Sequence, residues 1–210
     1  MVTGMLGNAL GYSHSDSVQL QALQERVSFA CRCDRRGTRK RDYQTVDLGL
    51  PHMNDELGWT TNGQLQQRKG GSASTGIHIR LRDYWADSAH TLALTLDPAD
   101  ENPTLKDVAQ ALRTPERPLF IGRKNCLPAA PIFLDHVQAE SLVEALEKAP
   151  LPNDPDSKSS LNAWWPAESS KSSDALPVTD ERDWANQIHV GERWIKSGKI
   201  KITSKEVGNG

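Results

Sequence analysis

Val27-Ser28-Phe29-Ala30-Cys31-Arg32-Cys33 alternates apolar and polar side chains with the period of two that marks a strand buried on one face. Read this way, Val27, Phe29, Cys31 and Cys33 share the inward face. The chain enters this strand from a helix: Ser17 stands where a cap belongs, and Val18 to Arg26 turns Leu20 and Leu23 inward. Farther upstream, Met1 to Leu10 reads as a helix with Met1, Met5, Leu6 and Leu10 broadly on one side. Gly11 closes it, and Ser13 to Ser17 forms a turn. Downstream, Thr38 to Leu48 is extended.

From Gly49 to Gly76 the periodicity disappears and Gly, Asn, Gln, Ser and Thr dominate, which predicts a long irregular insertion. Alternation returns at Ile77–Leu81 and at His90–Leu96, the latter ended by Asp97-Pro98. Pro103 suits the first position of a helix running to about Arg113, with Leu105, Val108, Ala109 and Leu112 on its apolar face. Leu119–Gly122 and Ile132–Ala139 read as short strands, and Glu140–Lys148 as a helix. Pro150 to Asp180 is rich in Pro, Ser and Asp and reads as a mobile linker. Ile188 to Thr203 reads as a closing hairpin with Gly198 near its turn.

This order predicts an α+β chain built on an antiparallel sheet. Residues 1–150 form one domain with an insertion at about 49–76, 151–180 form a linker, and 181–210 supply C-terminal strands. A ferredoxin-like βαββαβ unit, the RNA-recognition type with helices on one face, fits if its first strand is missing. The sequence begins directly on the helix.

Composition sets outer limits. The 210 residues have a mean hydropathy of −0.60, and no apolar run approaches the ~18 residues of a membrane-spanning helix. The opening residues carry no basic stretch followed by a long apolar one, so a secretory signal is not expected. Three cysteines, an odd number, fit a reducing cytosol better than a disulfide framework. The formal charge is −2, but it is unevenly distributed. Residues 31–43 hold six basic side chains (Arg32, Arg35, Arg36, Arg39, Lys40, Arg41) against two acidic ones (Asp34, Asp42).

That basic run, with Gly37 and Tyr43 beside it, suits phosphate contacts and base stacking; a solvated strand edge is the plain alternative. Gly122-Arg123-Lys124-Asn125, following Pro118-Leu119-Phe120-Ile121, places two cations and an amide at a glycine that could admit a phosphate, although an ordinary turn explains it as well. Gly4, Gly7 and Gly11 follow no strand and have the wrong spacing for a dinucleotide fingerprint. Cys31, Cys33 and Cys126 lack the partners a zinc site requires, so no metal and no cofactor are expected. The histidines form no HExxH pattern and no evident triad. Trp184, Trp194 and the Trp164-Trp165 pair could stack bases, but packing is their commoner use.

Four segments in order, SVQLQALQERVSFACRCD (17–34), RKRDYQTV (39–46), HIRLRDYWADSAHTLALTL (78–96) and RPLFIGRKNCLPAAPIFL (117–134), resemble the CasD-type subunits of type I-E CRISPR surveillance complexes (Cascade). The tail ERDWANQIHVGERWI (181–195) is similar to that family's C-terminal part. The resemblance implies a ferredoxin-like fold with a thumb, here residues 49–76. It also implies binding of the 5′ handle of CRISPR RNA in antiviral defence, contacts with the backbone and large subunits, and only indirect dealings with target DNA. No membrane is involved, and such subunits are regarded as non-catalytic. Arg32, Arg35, Arg36, Arg39, Lys40, Arg41, Tyr43, Arg80, Arg82, Arg123, Lys124 and Asn125 are the expected RNA contacts. Family members begin with a strand that precedes the helix at Met1; an internal start or a degraded copy would each account for its absence here.

Two other functions compete. An endoribonuclease, as in type I-C relatives, would need a base and a cation, for which Tyr43, Lys40 and His78 are the candidates. A remnant kept only for protein contacts would bind no RNA.

Overall fold

The alternation at Val27 builds the strand on which everything else assembles. The computed structural model describes residues 2–47, 57–59, 65–67, 77–123, 126–153, 155–157 and 159–203. The chain divides into two units, one formed by 1–35 with 89–210 and the other by 36–88.

In the first unit, α1 (Val2–Ala9) and α2 (Ser17–Arg26) lead into β1 (Val27–Arg35). The backbone turns directly from helix to strand at Val27, whose φ and ψ of −77° and 117° are already extended. Asp16, one residue before the expected Ser17, occupies the cap position of α2. β6 (Ala89–Leu96) pairs antiparallel with β1 from Val27 opposite Leu96 to Arg35 opposite Ala89, with a bulge between Cys33 and Arg35. Two further helices, α3 (Leu105–Arg113) and α4 (Leu142–Lys148), precede β7 (Ser160–Pro166), β8 (Leu176–Asp183) and β9 (Ile188–Lys201). The five strands lie in the order β6-β1-β7-β9-β8, and all the pairings are antiparallel.

Two apolar clusters flank this sheet. Val2, Leu6, Leu23, Leu96 and Val108 form the first, joined by Val27, Phe29 and Leu94. Ala30, Leu146, Ala163 and Ile200 form the second, joined by Ala93 and Trp165. Phe29 and Ala30 point to opposite faces of β1, as do Leu94 and Ala93 on β6. The α+β class therefore holds, but α4 packs on one face while α1, α2 and α3 cover part of the other. Tertiary contacts reinforce this layer. Gln24 on α2 accepts from Trp184 Nε1 at 3.0 Å and exchanges hydrogen bonds with the backbone of Arg182. The helix α3 begins at Leu105, two residues later than Pro103 would set it, because Thr104 and Asp107 form a reciprocal capping box.

The buried face of β1 is Ala30, Arg32 and Asp34, not the cysteine face. Arg32 is fully buried and Asp34 is 1 % exposed. Arg32 Nε donates to Asp34 Oδ1 at 2.5 Å, and its remaining nitrogens donate to the carbonyls of Leu146, Ala149 and Pro150. Thr91 Oγ1 on β6 donates to the other Asp34 oxygen at 2.6 Å. The guanidinium thus caps the carbonyl end of α4, where four backbone acceptors would otherwise lack partners, and ties it to two strands. Arg32 is consequently corrected from an RNA contact to a structural residue.

The C-terminal third also departs from expectation. Residues 151–180 contribute all of β7 and the start of β8, because Leu161 and Ala163 supply an apolar face that the surrounding Pro and Ser obscure. Ile188–Lys201 is one long strand, not a hairpin; the turn lies before it, between β8 and β9. Gly198 sits mid-strand opposite Ala163, where a Cβ would come within 3.0 Å of the Trp165 ring. Leu119–Gly122 is no strand either: the Ile121 N–H bonds to Cys126 O and the Cys126 N–H to Arg123 O, a closed local turn. Residues 132–139 are likewise irregular, with Phe133 held between the Arg113 guanidinium and His136.

In the second unit, β2 (Thr38–Asp47) and β5 (Ile77–Ala86) form an antiparallel ribbon. Within the expected thumb, β3 (Leu57–Trp59) pairs with β4 (Leu65–Gln67); the rest of 49–76 lies outside the described residues.

Removing the Asp34 carboxylate leaves the Arg32 charge buried without its counter-ion. Asp34→Ala is expected to cost about 3–5 kcal/mol, read as a lower urea midpoint, whereas Arg39→Ala on the exposed ribbon should stay within about 0.5 kcal/mol of wild type. The double replacement Arg32→Met/Asp34→Leu should be milder than Asp34→Ala. An unchanged midpoint in Asp34→Ala would show that the network does not hold the fold.

Candidate nucleic-acid interface

Antiparallel pairing sets which cations share a surface, because residues directly opposite lie on the same side of a ribbon. Arg39 opposes Trp85, Arg41 opposes Asp83 and Tyr43 opposes Leu81 on one side. Lys40 opposes Tyr84, Asp42 opposes Arg82 and Gln44 opposes Arg80 on the other. The basic run is therefore divided between two sides instead of forming one patch.

On the first side, Asp83 bridges both arginines, 2.5 Å from Arg39 Nη2 and 2.8 Å from Arg41 Nε. Hydrogen bonds from Arg41 and Arg39 hold its carboxyl at about 2, below the ordinary 3.8. Arg41 is shifted upward by the same contact. The guanidinium groups stay well exposed, at 61 % and 58 %, so Asp83 orients them without removing them from solvent. Tyr43, Leu81 and Trp85 are exposed beside them, and the Arg36 guanidinium lies 6.0 Å over the Trp85 ring. This combination of aligned arginines and open aromatic faces can take phosphates and unstacked bases together. The second side offers three cations, Lys40, Arg80 and Arg82, against Asp42. Gly37 makes the turn into β2 with φ of 72°, and a Cβ there would collide with the Ala86 carbonyl at 2.5 Å.

The remaining sequence candidates lie in the first unit. Arg35 is half-buried and donates to the Asn153 carbonyl at 2.8 Å. The terminal nitrogens of Arg123 are buried, which turns its guanidinium away from solvent. Gly122 has φ of 79° with nothing near a hypothetical Cβ, so the turn's backbone conformation favours glycine there. Lys124 and Asn125 lie outside the described residues. His78 belongs to β5, opposite Val46, and the same register puts Tyr43 and Lys40 on opposite sides of the ribbon. Among the described residues, no three His, Cys, Asp or Glu side chains gather as a metal ion would require, and no helix is long and apolar enough to cross a membrane.

Asp83 and Trp85 were missed in the sequence. Their only signal was the alternation of Arg80-Leu81-Arg82-Asp83-Tyr84-Trp85, which does not disclose its pairing register with Arg39 and Arg41.

Comparison with known proteins gives this geometry a lineage. The solved structure of a protein described as "CRISPR RNA-guided surveillance complex" superposes with a TM-score of 0.64 at 22% identity, covering 99% of this chain and 81% of that one. Another, described as "Crystal structure of Cas protein", gives 0.54 at 20% identity over 96% of this chain and 78% of the other. In sequence, the "CRISPR system Cascade subunit CasD" of Escherichia coli (strain K12) is 32% identical over 151 residues, which is 68% of this chain and 60% of that relative's length. The family profile described as "CRISPR-associated protein (Cas_Cas5)" matches residues 1–196. With nearly the whole chain matched, the protein belongs to the Cas5 family of CRISPR-associated proteins.

Proposed function

We propose that this chain is a subunit of a type I-E CRISPR surveillance complex, that it grips the 5′ handle of the CRISPR RNA, and that it does so without cutting it. The observation that carries the RNA part is the ribbon, where Lys40, Arg80 and Arg82 share one side with Asp42 and the exposed Arg39 and Arg41 are aligned by Asp83 on the other, in a member of this family. Phosphate contacts of this kind dominate affinity and make it salt-dependent. The backbone and large subunits of the complex are its protein partners, target DNA is met only through them, and the setting is the cytoplasm.

The non-cleaving reading draws support from the register. A general base and its assisting cation must reach the same hydroxyl within hydrogen-bond distance. The register puts Tyr43 and Lys40 on opposite sides of the ribbon, and His78 stands six residues along β5 from Tyr84, the partner of Lys40, a separation of about 20 Å.

Labelled repeat-derived RNA should bind the full chain with an affinity that falls steeply with salt and should be recovered intact after long incubation. Arg39→Ala/Arg41→Ala removes two phosphate contacts, so the slope of log K against log salt should become shallower by about 1.4. A slope equal to wild type would remove the ribbon from the interface, and RNA cleaved by wild type but not by His78→Ala would establish the endoribonuclease instead.

Asp83 gives a second test. Its lowered carboxyl means that the ion-pair contribution is fully present above the unfolded value near 4 and is lost only as pH falls toward 2. RNA affinity is therefore expected to show no step from this carboxylate between pH 5 and pH 8. Asp83→Asn, which removes the opposing charge, should raise affinity at neutral pH by several-fold. Weaker binding by Asp83→Asn would mean that its alignment of the two arginines matters more than its charge.

A further inference from the structure

The helical layer formed by α1, α2 and α3 covers only one end of its face of the sheet. Val27 and Phe29 lie under it. Beyond Phe29 the same face continues through Cys31 on β1, Leu92 on β6, Trp164 on β7 and Ile195 on β9, following the registers Cys31–Leu92 and Cys31–Trp164. Here a cleft of about 290 Å³ opens between Phe29, Cys31, His90, Trp164, Arg193 and Ile195. Trp164 belongs to the third of five strands, yet it is 37 % exposed, as is Leu92. Its neighbour Trp165 points the other way and packs into the second cluster. A tryptophan left open in the middle of a sheet calls for an occupant.

The surroundings identify the occupant by charge. Asn162 opposes Lys199 and Ser160 opposes Lys201 on the same face as Trp164. Both lysines are exposed, and neither forms an ion pair among the described residues. They stand at successive outward positions along β9, each about 7 Å from the next. At the other end, the adjoining cleft of about 420 Å³ is lined by Glu25 and Glu168. Arg193 closes the boundary between the two clefts: it stacks 4.3 Å over Phe29 and is neutralised by Asp180 at 2.8 Å. An anion is thus drawn toward the lysine end and repelled from the glutamate end. Burial pushes the Cys31 thiol up to about 11, so the cleft floor adds no negative charge.

We propose that this open sheet face is a second RNA contact, separate in its residues from the ribbon, at which a single-stranded base stacks on Trp164 while Lys199 and Lys201 take the adjacent phosphates. Aromatic stacking on an open sheet combined with phosphate neutralisation is sequence-tolerant and selects unpaired strands over duplex. The proposal rests on the RNA-binding reading for its ligand class only; its residues lie outside that reading.

The test uses the full chain and a repeat-derived single-stranded RNA carrying a photoreactive uridine analogue. Trp164→Ala is expected to weaken binding by about tenfold or more, and Trp164→Phe to retain most of it. Lys199→Ala/Lys201→Ala, which removes no packing, should make the salt slope shallower by about 1.4. Irradiation of wild type should attach the RNA to the peptide carrying Trp164. Wild-type affinity and slope in the lysine double variant, together with no adduct on that peptide, would overturn the proposal. If the ribbon variant Arg39→Ala/Arg41→Ala still loses binding, the failure belongs to this face alone. No binding of RNA by folded wild type would overturn both readings. A face that accepts a protein instead would leave RNA binding unchanged in Trp164→Ala, which also counts against it.

Discussion

The buried Arg32–Asp34 pair is the constraint on which the first unit depends. A charge pair without solvent persists only where nearly every donor and acceptor is matched. Here the guanidinium is spread over one carboxylate and three helix-end carbonyls, and the carboxylate over Arg32 and Thr91. The pair specifies more than it attracts. Only one placement of α4 brings the Leu146 and Ala149 carbonyls to Arg32, and that placement puts Leu146 against Ala30 and Ala163. It also fixes which face of β1 is covered, and hence that Phe29 and Cys31 face the other way.

That choice of face shows where sequence reasoning succeeds and where it stops. Periodicity located α1, α2, β1, β6 and α3 to within a few residues, because each carries its own alternation or helical repeat, but it found only the first half of β5, and β2 was read as extended without an alternation of its own. It misjudged the face of β1 because Cys31 and Cys33 are more apolar than Arg32 and Asp34. Local hydrophobicity cannot register that two opposite charges two residues apart satisfy each other and a distant helix end. The reading of 151–180 as a linker failed for a related reason. Proline and serine dominate its composition, while the apolar face of β7 rests on Leu161, Ala163 and Trp165 alone.

The ribbon cations were legible as residue types but not as a surface. Arg39, Lys40 and Arg41 are consecutive, and a strand sends consecutive side chains to opposite sides. What decides their grouping is the register with β5, set by a return strand whose pairing the sequence does not announce. Asp83 then makes Arg39 and Arg41 a unit, leaving Lys40 with Arg80 and Arg82. Arg123 is a parallel case: a cation beside a glycine has the composition of a phosphate site, but its turn closes on itself through Ile121 and Cys126.

A net charge of −2 is compatible with gripping a polyanion because screening makes recognition local. At physiological ionic strength exposed charges are felt over about 8 Å, a distance comparable to the separation of two outward positions on one strand. Within that range a phosphate at Arg39 meets Arg41 and Asp83, and one at Lys199 meets Lys201, neither lysine being held in an ion pair among the described residues. The carboxylates that make the chain acidic overall, such as Asp107 in its capping box and Glu144 beside Lys148, are engaged in helix ends and local pairs. Total charge is thus a poor guide to this protein's partners, and the spacing of cations along two strands is a better one.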